Sequence, residues 1–316
     1  MAPVTTIDTQ YLGRPGFAAA YLLVEGGEAA FIENNTARAL PLLLEALGRA
    51  GLRPEQVKYA VVTHAHLDHA GGSSALMEAC PGATLLAHPR AAKHLVDPSR
   101  LVASATQVYG PERFRELYGE IRPIPASRVR AMEDGERLRF GARELEFFHT
   151  RGHANHHLCV RDSGSNGIFT GDAFGLVYPA LARSRPFAFP STSPTDFDAE
   201  AAKAAVRQIA SGDPERVFLT HFGERAEVAD IAEQLLRWLD FYGELFARAR
   251  DAAGPPDELE DTCRRQIEEE FLRRLEERGI STGASTGELL ELDVALNAQG
   301  IALAAQKARG RSPGGR

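Results

Sequence analysis

Apolar positions along this chain change their period several times. Two short apolar runs, 19–25 and 28–33, meet at Gly26-Gly27, which predicts a β-hairpin. Residues 39–50 carry Leu40, Leu43, Leu44 and Leu47 at helical spacing and stop at Gly51, so an amphipathic helix is expected there. A buried strand is predicted over 57–63, a helix over 72–79 and a short strand over 84–87. Residues 90–120 read as mostly helical, with a break at Tyr109-Gly110-Pro111. Strands return at 137–140 and 143–148 around Gly141-Ala142. They continue at 157–162 and 167–170 around Ser163-Gly164-Ser165-Asn166. A helix over 198–211 and a strand over 216–220 follow.

From residue 227 the strand signal fades. Residues 229–250, 258–278 and 287–307 read as three amphipathic helices, separated by Gly254-Pro255-Pro256 and by the Gly/Ser/Thr-rich stretch 279–286. The pattern therefore predicts an α/β domain over 1–226, a helical C-terminal extension over 227–307, and a disordered Gly/Arg-rich tail over 308–316. Strand-rich stretches with a following helix recur in the α/β part, which suggests two similar halves within one domain. Residues 176–194 break the alternation with Pro179, Pro186, Pro190 and Pro194 among Tyr178, Phe187 and Phe189. A segment of that length is either a functional loop or an excursion that packs its own aromatics.

Composition narrows the function classes. The chain has 316 residues, 44% hydrophobic and 25% charged, and a net charge of −7. It can bury a full core, and its acidic balance argues against nucleic acid as a partner. No apolar run reaches a membrane span and the first residues carry no signal-peptide pattern, so a cytoplasmic location is expected. Cys80, Cys159 and Cys263 are too few and too far apart for a disulfide framework, and read as small buried hydrophobes.

The chemistry concentrates at strand ends. After the strand 57–63 comes His64-Ala65-His66-Leu67-Asp68-His69, and Thr63 precedes it. His153 follows the strand 143–148, Asp172 follows 167–170, and His221 follows 216–220. Strand ends on one edge of a sheet converge, and neutral imidazole with carboxylate suits zinc or a similar cation. Seven ligand-type residues exceed the four that close a structural zinc, which favours two metals. His149, His156 and His157 lie close by. Any one of them can orient a ligand or contact substrate, although for His149 an ordinary strand-end role is the better reading. His88 and His94 read as surface residues near a helix start, and Glu268-Glu269-Glu270 as a solvated helix face.

This ordered set resembles the metallo-β-lactamase-fold hydrolases, whose hallmarks are His-x-His-x-Asp-His, a Gly-His turn, a Gly-Asp strand end and a late His. The resemblance spans about residues 15–225. It implies a four-layer αβ/βα metallo-β-lactamase-type sandwich. It also implies one metal on His64, His66 and His153, a second on Asp68, His69 and His221, and Asp172 bridging them. Zinc is the first expectation, with iron and manganese as alternatives. Two departures stand out. Glu33-Asn34-Asn35 replaces the frequent Asp-Thr-Gly, with Asn35 suited to the left-handed backbone a Gly would take. Thr150-Arg151-Gly152-His153 replaces Thr-Pro-Gly-His and keeps the ligand.

The function expected is dinuclear metal-dependent hydrolysis of an ester, thioester or lactone. A water shared by two dications loses its proton near neutral pH and becomes the nucleophile, with Asp68 orienting it or relaying its proton. The alternatives are a diiron redox protein of the same fold and a phosphodiesterase. The diiron proteins carry Glu where His66 stands and add a flavodoxin-like domain. A non-catalytic binding protein on the same fold is a third reading, and ligand-type residues at all seven positions oppose it. The partner expected is a small-molecule substrate. The C-terminal helices either cap the site or form a homodimer surface, and their stripe of Leu235, Leu236, Leu239 and Phe246 also suits plain packing.

Overall fold

The computed structural model describes residues 3–182, 185–192, 196–252, 256–280 and 284–310. The tail from 311 on, Gly254 and Pro255, residues 281–283, and Ser193 with Pro194 lie outside the described residues, as do the expectations that fall on them. The described residues divide into two compact units, one of 1–149, 156–171 and 213–226, the other of 150–155, 172–212 and 227–316.

The first unit opens with β1 (Val4–Asp8), β2 (Ala19–Glu25), β3 (Glu28–Ile32), α1 (Leu40–Arg49) and β4 (Val57–Val61). The one-turn α2 (Leu67–Ala70), α3 (Ser73–Ala79), β5 (Thr84–Ala87) and α4 (Pro89–Val96) follow. Then come α5 (Ser99–Tyr109), α6 (Pro111–Tyr118) and β6 (Val129–Ala131). These six strands form one sheet in the order β1 to β6. It is antiparallel from β1 to β3 and parallel from β3 to β6. The second sheet is built from β7 (Arg137–Phe140), β8 (Arg143–Thr150), β9 (His157–Asp162), β10 (Gly167–Gly171), β11 (Arg216–Leu219) and β12 (Gly223–Arg225). Its order is β12-β11-β10-β9-β8-β7.

The apolar runs of β2 and β3 are continuous because both faces of the first sheet are covered. Ala20, Leu22 and Phe31 point into one core with Leu43, Leu47, Leu76 and Leu95 of the helices. Their neighbours Tyr21, Leu23 and Ile32 point the other way, into a core shared with Phe140, Phe147, Val160, Phe169 and Phe218 of the second sheet. Tyr21 joins the two sheets, its ring edge-on to Phe169 and Phe218 at 5.2 and 5.4 Å, and its hydroxyl donates to the Leu219 carbonyl. The hairpin at Gly26-Gly27 forms as the sequence predicts, with both glycines at positive φ. Strands β1, β6 and β12 carry too few apolar residues to have been expected.

The second unit contains α7 (Ala199–Ser211), α8 (Val228–Asp251), α9 (Pro256–Glu277) and α10 (Ala284–Arg309). The proline-rich segment packs among these helices. Phe187 and Phe189 lie 6.2 and 5.0 Å from the Phe271 ring of α9. The Tyr178 hydroxyl donates to Asp293 at 3.3 Å, and the Thr192 amide donates to Asn297 Oδ1 at 2.7 Å. Its aromatics are fully buried, so the described part of 176–194 is internal packing for its own unit. No helix among the described residues is long and apolar enough to cross a membrane.

Candidate metal centre

In the first unit, five of the seven residues come together. β4 ends at Val61, and the chain delivers Thr63, His64 and His66 before α2 turns Asp68 and His69 inward. His221 arrives two residues after β11. Asp68 Oδ2 lies 3.4 Å from His221 Nε2 and 3.7 Å from His69 Nε2. The potential ligand atoms of Asp68, His69 and His221 all lie within 4.8 Å of one another. His64 Nε2 is 2.8 Å from His66 Nδ1, and the His64 and His69 rings are 4.0 Å apart.

The far nitrogen of each ring fixes its tautomer. His221 Nδ1 is 2.8 Å from the Phe17 carbonyl, which can only accept, so Nδ1 carries the proton and Nε2 keeps a lone pair. His69 Nδ1 is 3.3 Å from Glu33 Oε1, with the same consequence. The Thr63 hydroxyl gives its single proton to Glu33 Oε1, so at 3.0 Å it must accept from His64 Nδ1. Asp68 Oδ2 and the two Nε2 atoms facing it are then all acceptors. Acceptors repel at this distance unless a cation or a shared proton lies between them, so the donor set fits a divalent metal.

The second unit holds the other two residues. His153 Nε2 is 3.5 Å from Asp172 Oδ2, and both side chains are buried. His153 Nδ1 donates to the Ser191 carbonyl at 3.1 Å, so Nε2 again carries the lone pair. Gly152, at φ 108, makes this turn feasible: a Cβ there would sit 2.2 Å from the Ala202 nitrogen. Gly171 has a similar duty in the first unit, since its missing Cβ would lie 2.5 Å from both His157 Nε2 and Thr63 Oγ1.

Several residues support the ligands in ways the sequence did not show. Glu33 is 1% exposed and its Oε1 meets Thr63, His69 and, at 3.4 Å, the Thr220 hydroxyl. Its place in the Asp-Thr-Gly position was the available signal. Asn35 takes the expected left-handed backbone, φ 55, and its side chain donates to the Asp68 carbonyl at 2.8 Å. Phe17 buttresses His221 edge-on at 6.2 Å. Burial, aided by the Asp68 charge, pushes the Tyr11 phenol well above its ordinary pKa.

The neighbouring histidines differ from one another. His156 Nδ1 accepts from the Ala65 amide at 3.3 Å, with its ring 5.6 Å from His66. His157 is buried, 4.9 Å from His64. His88 is not a surface residue: it is 8% exposed, accepts from the Arg90 amide as the N-cap of α4, and its ring lies 4.1 Å from that of His149, tilted by 42°. His149 Nε2 donates to the Met132 carbonyl at 2.9 Å, the ordinary role expected of it. Cys80, Cys159 and Cys263 are free and buried.

Comparisons with known proteins agree with this architecture. A family model described as the metallo-beta-lactamase superfamily matches residues 13–221. The chain is 30% identical over 147 residues to an acyl-coenzyme A thioesterase (MBLAC2) of Gallus gallus, covering 43% of this chain and 49% of that protein. It is 30% identical over 152 residues to a hydroxyacylglutathione hydrolase of Gloeobacter violaceus, covering 46% and 47%. The matched stretch thus spans about half the length of these curated relatives. Among solved structures, the archaeal protein ST1585 of Sulfolobus tokodaii superposes with a TM-score of 0.66 at 19% identity, over 95% of this chain and 98% of its own. That likeness shows the fold, an αβ/βα sandwich with a helical C-terminal part.

Proposed function

This chain belongs to the metallo-β-lactamase superfamily, and from that premise we propose that it is a dinuclear metal-dependent hydrolase of a thioester, ester or lactone. The observation that carries the reading is the convergence of Asp68, His69 and His221 as acceptors, each imidazole held in the ligating tautomer by Phe17 or Glu33. The relatives named as a thioesterase and as a hydroxyacylglutathione hydrolase lend support for the bond type, since both names describe thioester or acyl-transfer chemistry to water.

His64, His66 and His153 are proposed to hold one metal, Asp68, His69 and His221 the other, with Asp172 shared between them. Zinc is the first candidate, because imidazole and carboxylate donors suit it. When bound, two such ions supply a nucleophile at neutral pH and Lewis-acid stabilisation of the developing oxyanion. The chain's own residues position and move protons. Asn35 pins the Asp68 backbone, so the carboxylate is presented from a fixed turn. Oδ2 belongs to the ligand group, so the other oxygen of the Asp68 carboxylate is the one that takes the proton from the attacking water and returns it to the leaving group. His156, whose Nδ1 accepts from the Ala65 amide, carries its proton on Nε2, with its ring beside His66. No serine or cysteine nucleophile is required: the three cysteines are buried, and burial pushes the Cys80 and Cys263 thiols up to about 11.

The test is a panel of thioesters, lactones and phosphodiesters on zinc-loaded protein, with metal content measured in parallel. Thioester or lactone turnover that disappears in His66→Ala is the expected result. Turnover that survives this substitution, or that is confined to phosphodiesters, rejects the proposal. Asp68→Asn separates ligation from proton handling: retained metal with unchanged turnover would eliminate the proton role.

A further inference from the structure

A cavity lies in the same unit as Asp68, and its charge is opposite to that of the chain as a whole. It has a volume of about 420 Å³ and is lined by Tyr11, Arg14, Asn35, Arg38, Arg113 and Glu116, among others. Three arginines and one glutamate therefore line it, in a protein of net charge −7. We propose that this cavity is a subsite for an anionic, oxygen-rich group of the substrate, a carboxylate or a phosphate. This inference rests on the hydrolase reading above and names the substrate class for it.

Arg14 and Arg38 are held rather than neutralised, and only Arg113 has an acidic partner in the lining. Glu116 pairs with Arg113 at 2.7 Å and is the single acidic side chain of the lining. Arg38 donates to the backbone carbonyls of Arg115, at 3.4 Å, and of Glu116, near the end of α6. Carbonyls orient a guanidinium but leave its charge in place. Arg14 lies 5.6 Å over the Phe17 ring, a contact that keeps its donors available. The nearby Asp8 carboxylate is turned to the Gln10 and Gly16 amides, at 2.9 and 2.8 Å, and is not part of the lining. Planar guanidinium forks match carboxylate and phosphate oxygens in pairs, which a lysine would not do.

The cavity shares a wall with the metal group. Asn35, which lines it, donates to the Asp68 carbonyl at 2.8 Å. Tyr11, which also lines it, stacks on Phe17 at 6.1 Å, and Phe17 meets His221 at 6.2 Å. A substrate whose scissile carbonyl reaches Asp68 can place a charged arm past Asn35 and Tyr11 among the arginines. Such an arm contributes binding far from the reacting bond, so it shows chiefly in KM.

The experiment uses the zinc-loaded full chain and three S-aryl thioacetates that differ in one leaving-group substituent, neutral, carboxylate or phosphate. Binding of inorganic phosphate and of acetate is measured separately by calorimetry. The wild type should prefer at least one charged analogue about tenfold in kcat/KM through KM. That preference should collapse in Arg14→Glu and in Arg14→Ala/Arg113→Ala, and should weaken with salt. The two charged analogues distinguish carboxylate from phosphate. Turnover of all three with equal KM, or a preference that persists in both variants, overturns the subsite and leaves the hydrolase reading intact. No turnover of any thioacetate, but phosphate or acetate binding that Arg14→Glu abolishes, supports the subsite and overturns the thioesterase form of the hydrolase reading. Arg38 is left unchanged throughout, because it also ties α6 to the fold.

Discussion

His69 and Glu33 form a buried pair, with His69 Nδ1 3.3 Å from Glu33 Oε1 and both side chains almost fully enclosed. The same oxygen receives the Thr63 and Thr220 hydroxyls, and Thr63 in turn holds His64. One carboxylate therefore sets the tautomers of two imidazoles in the segment that follows β4. Glu33→Gln keeps the shape but offers an amide in place of the carboxylate. Metal affinity, read by chelator competition, should fall about 10- to 100-fold, the usual effect of losing such a partner. Glu33→Asp should lose less. An unchanged affinity in Glu33→Gln would show that the ligands need no such support.

His88 makes the acid side of the stability curve testable. Burial, together with the positive charge His149 would carry, lowers its pKa from 6.5 to about 4. Between these values the unfolded chain binds a proton that the folded chain does not. The stability tied to the neutral ring is therefore fully present above about pH 6.5 and is lost as the pH falls toward 4. Asn can still cap α4 by accepting from the Arg90 amide, but does not titrate. In His88→Asn the drop in Tm between pH 7 and 5 should be smaller than in the wild type. Parallel pH profiles for the two proteins would assign the acid loss elsewhere.

Much of the first unit was legible in the sequence, because its signals are local. Gly26-Gly27 and Gly141-Ala142 needed only turn chemistry, and the ligand motif stood in a single stretch. The three long C-terminal helices followed from periodicity. What the sequence could not show depends on distant partners. Glu33 and Thr220 meet across 187 positions of chain, and no spacing rule connects them. His88 looked exposed because Pro89-Arg90 follows it, yet the cap it provides draws it inward against His149. The proline-rich segment could not be resolved from its own residues, since Asn297 and Phe271, which hold it, lie in helices far along the chain.

Arg143 and Asp162 form an ion pair with no solvent to share. The two atoms are 2.6 Å apart, at 1% and 0% side-chain exposure. Asp162 also accepts the Gly164 and Ser165 amides at 3.0 Å each, and Arg143 donates to the Pro3 carbonyl at 3.1 Å. Arg143 also reaches Glu25 at 3.3 Å, but removing Arg143 strands the fully enclosed Asp162 charge in a low-dielectric interior. Arg143→Met should cost about 3–5 kcal/mol in urea unfolding. Arg143→Met/Asp162→Asn should cost clearly less than the sum of the two single changes. Strict additivity would mean that the charges do not depend on each other.

Two glycines at positive φ separate conformational cost from steric cost. Gly26, at φ +58, has nothing within 4 Å of an added Cβ. Gly26→Ala should therefore cost only the left-handed backbone penalty, about 1 kcal/mol. Gly152, at φ +108, would place its Cβ 2.2 Å from the Ala202 nitrogen and 2.4 Å from its Cα. Backbone atoms in the first turn of α7 cannot swing aside as a side chain can. The Asp198 amide, moreover, ties that turn to the Gly152 carbonyl at 3.0 Å. Gly152→Ala must push the turn off α7 and carry His153 with it, away from the Ser191 carbonyl that fixes its tautomer. Its unfolding free energy should fall by several times the Gly26→Ala loss, and metal affinity should fall only in Gly152→Ala. Equal costs for the two, with metal binding intact in both, would show that the turn can shift without disturbing His153.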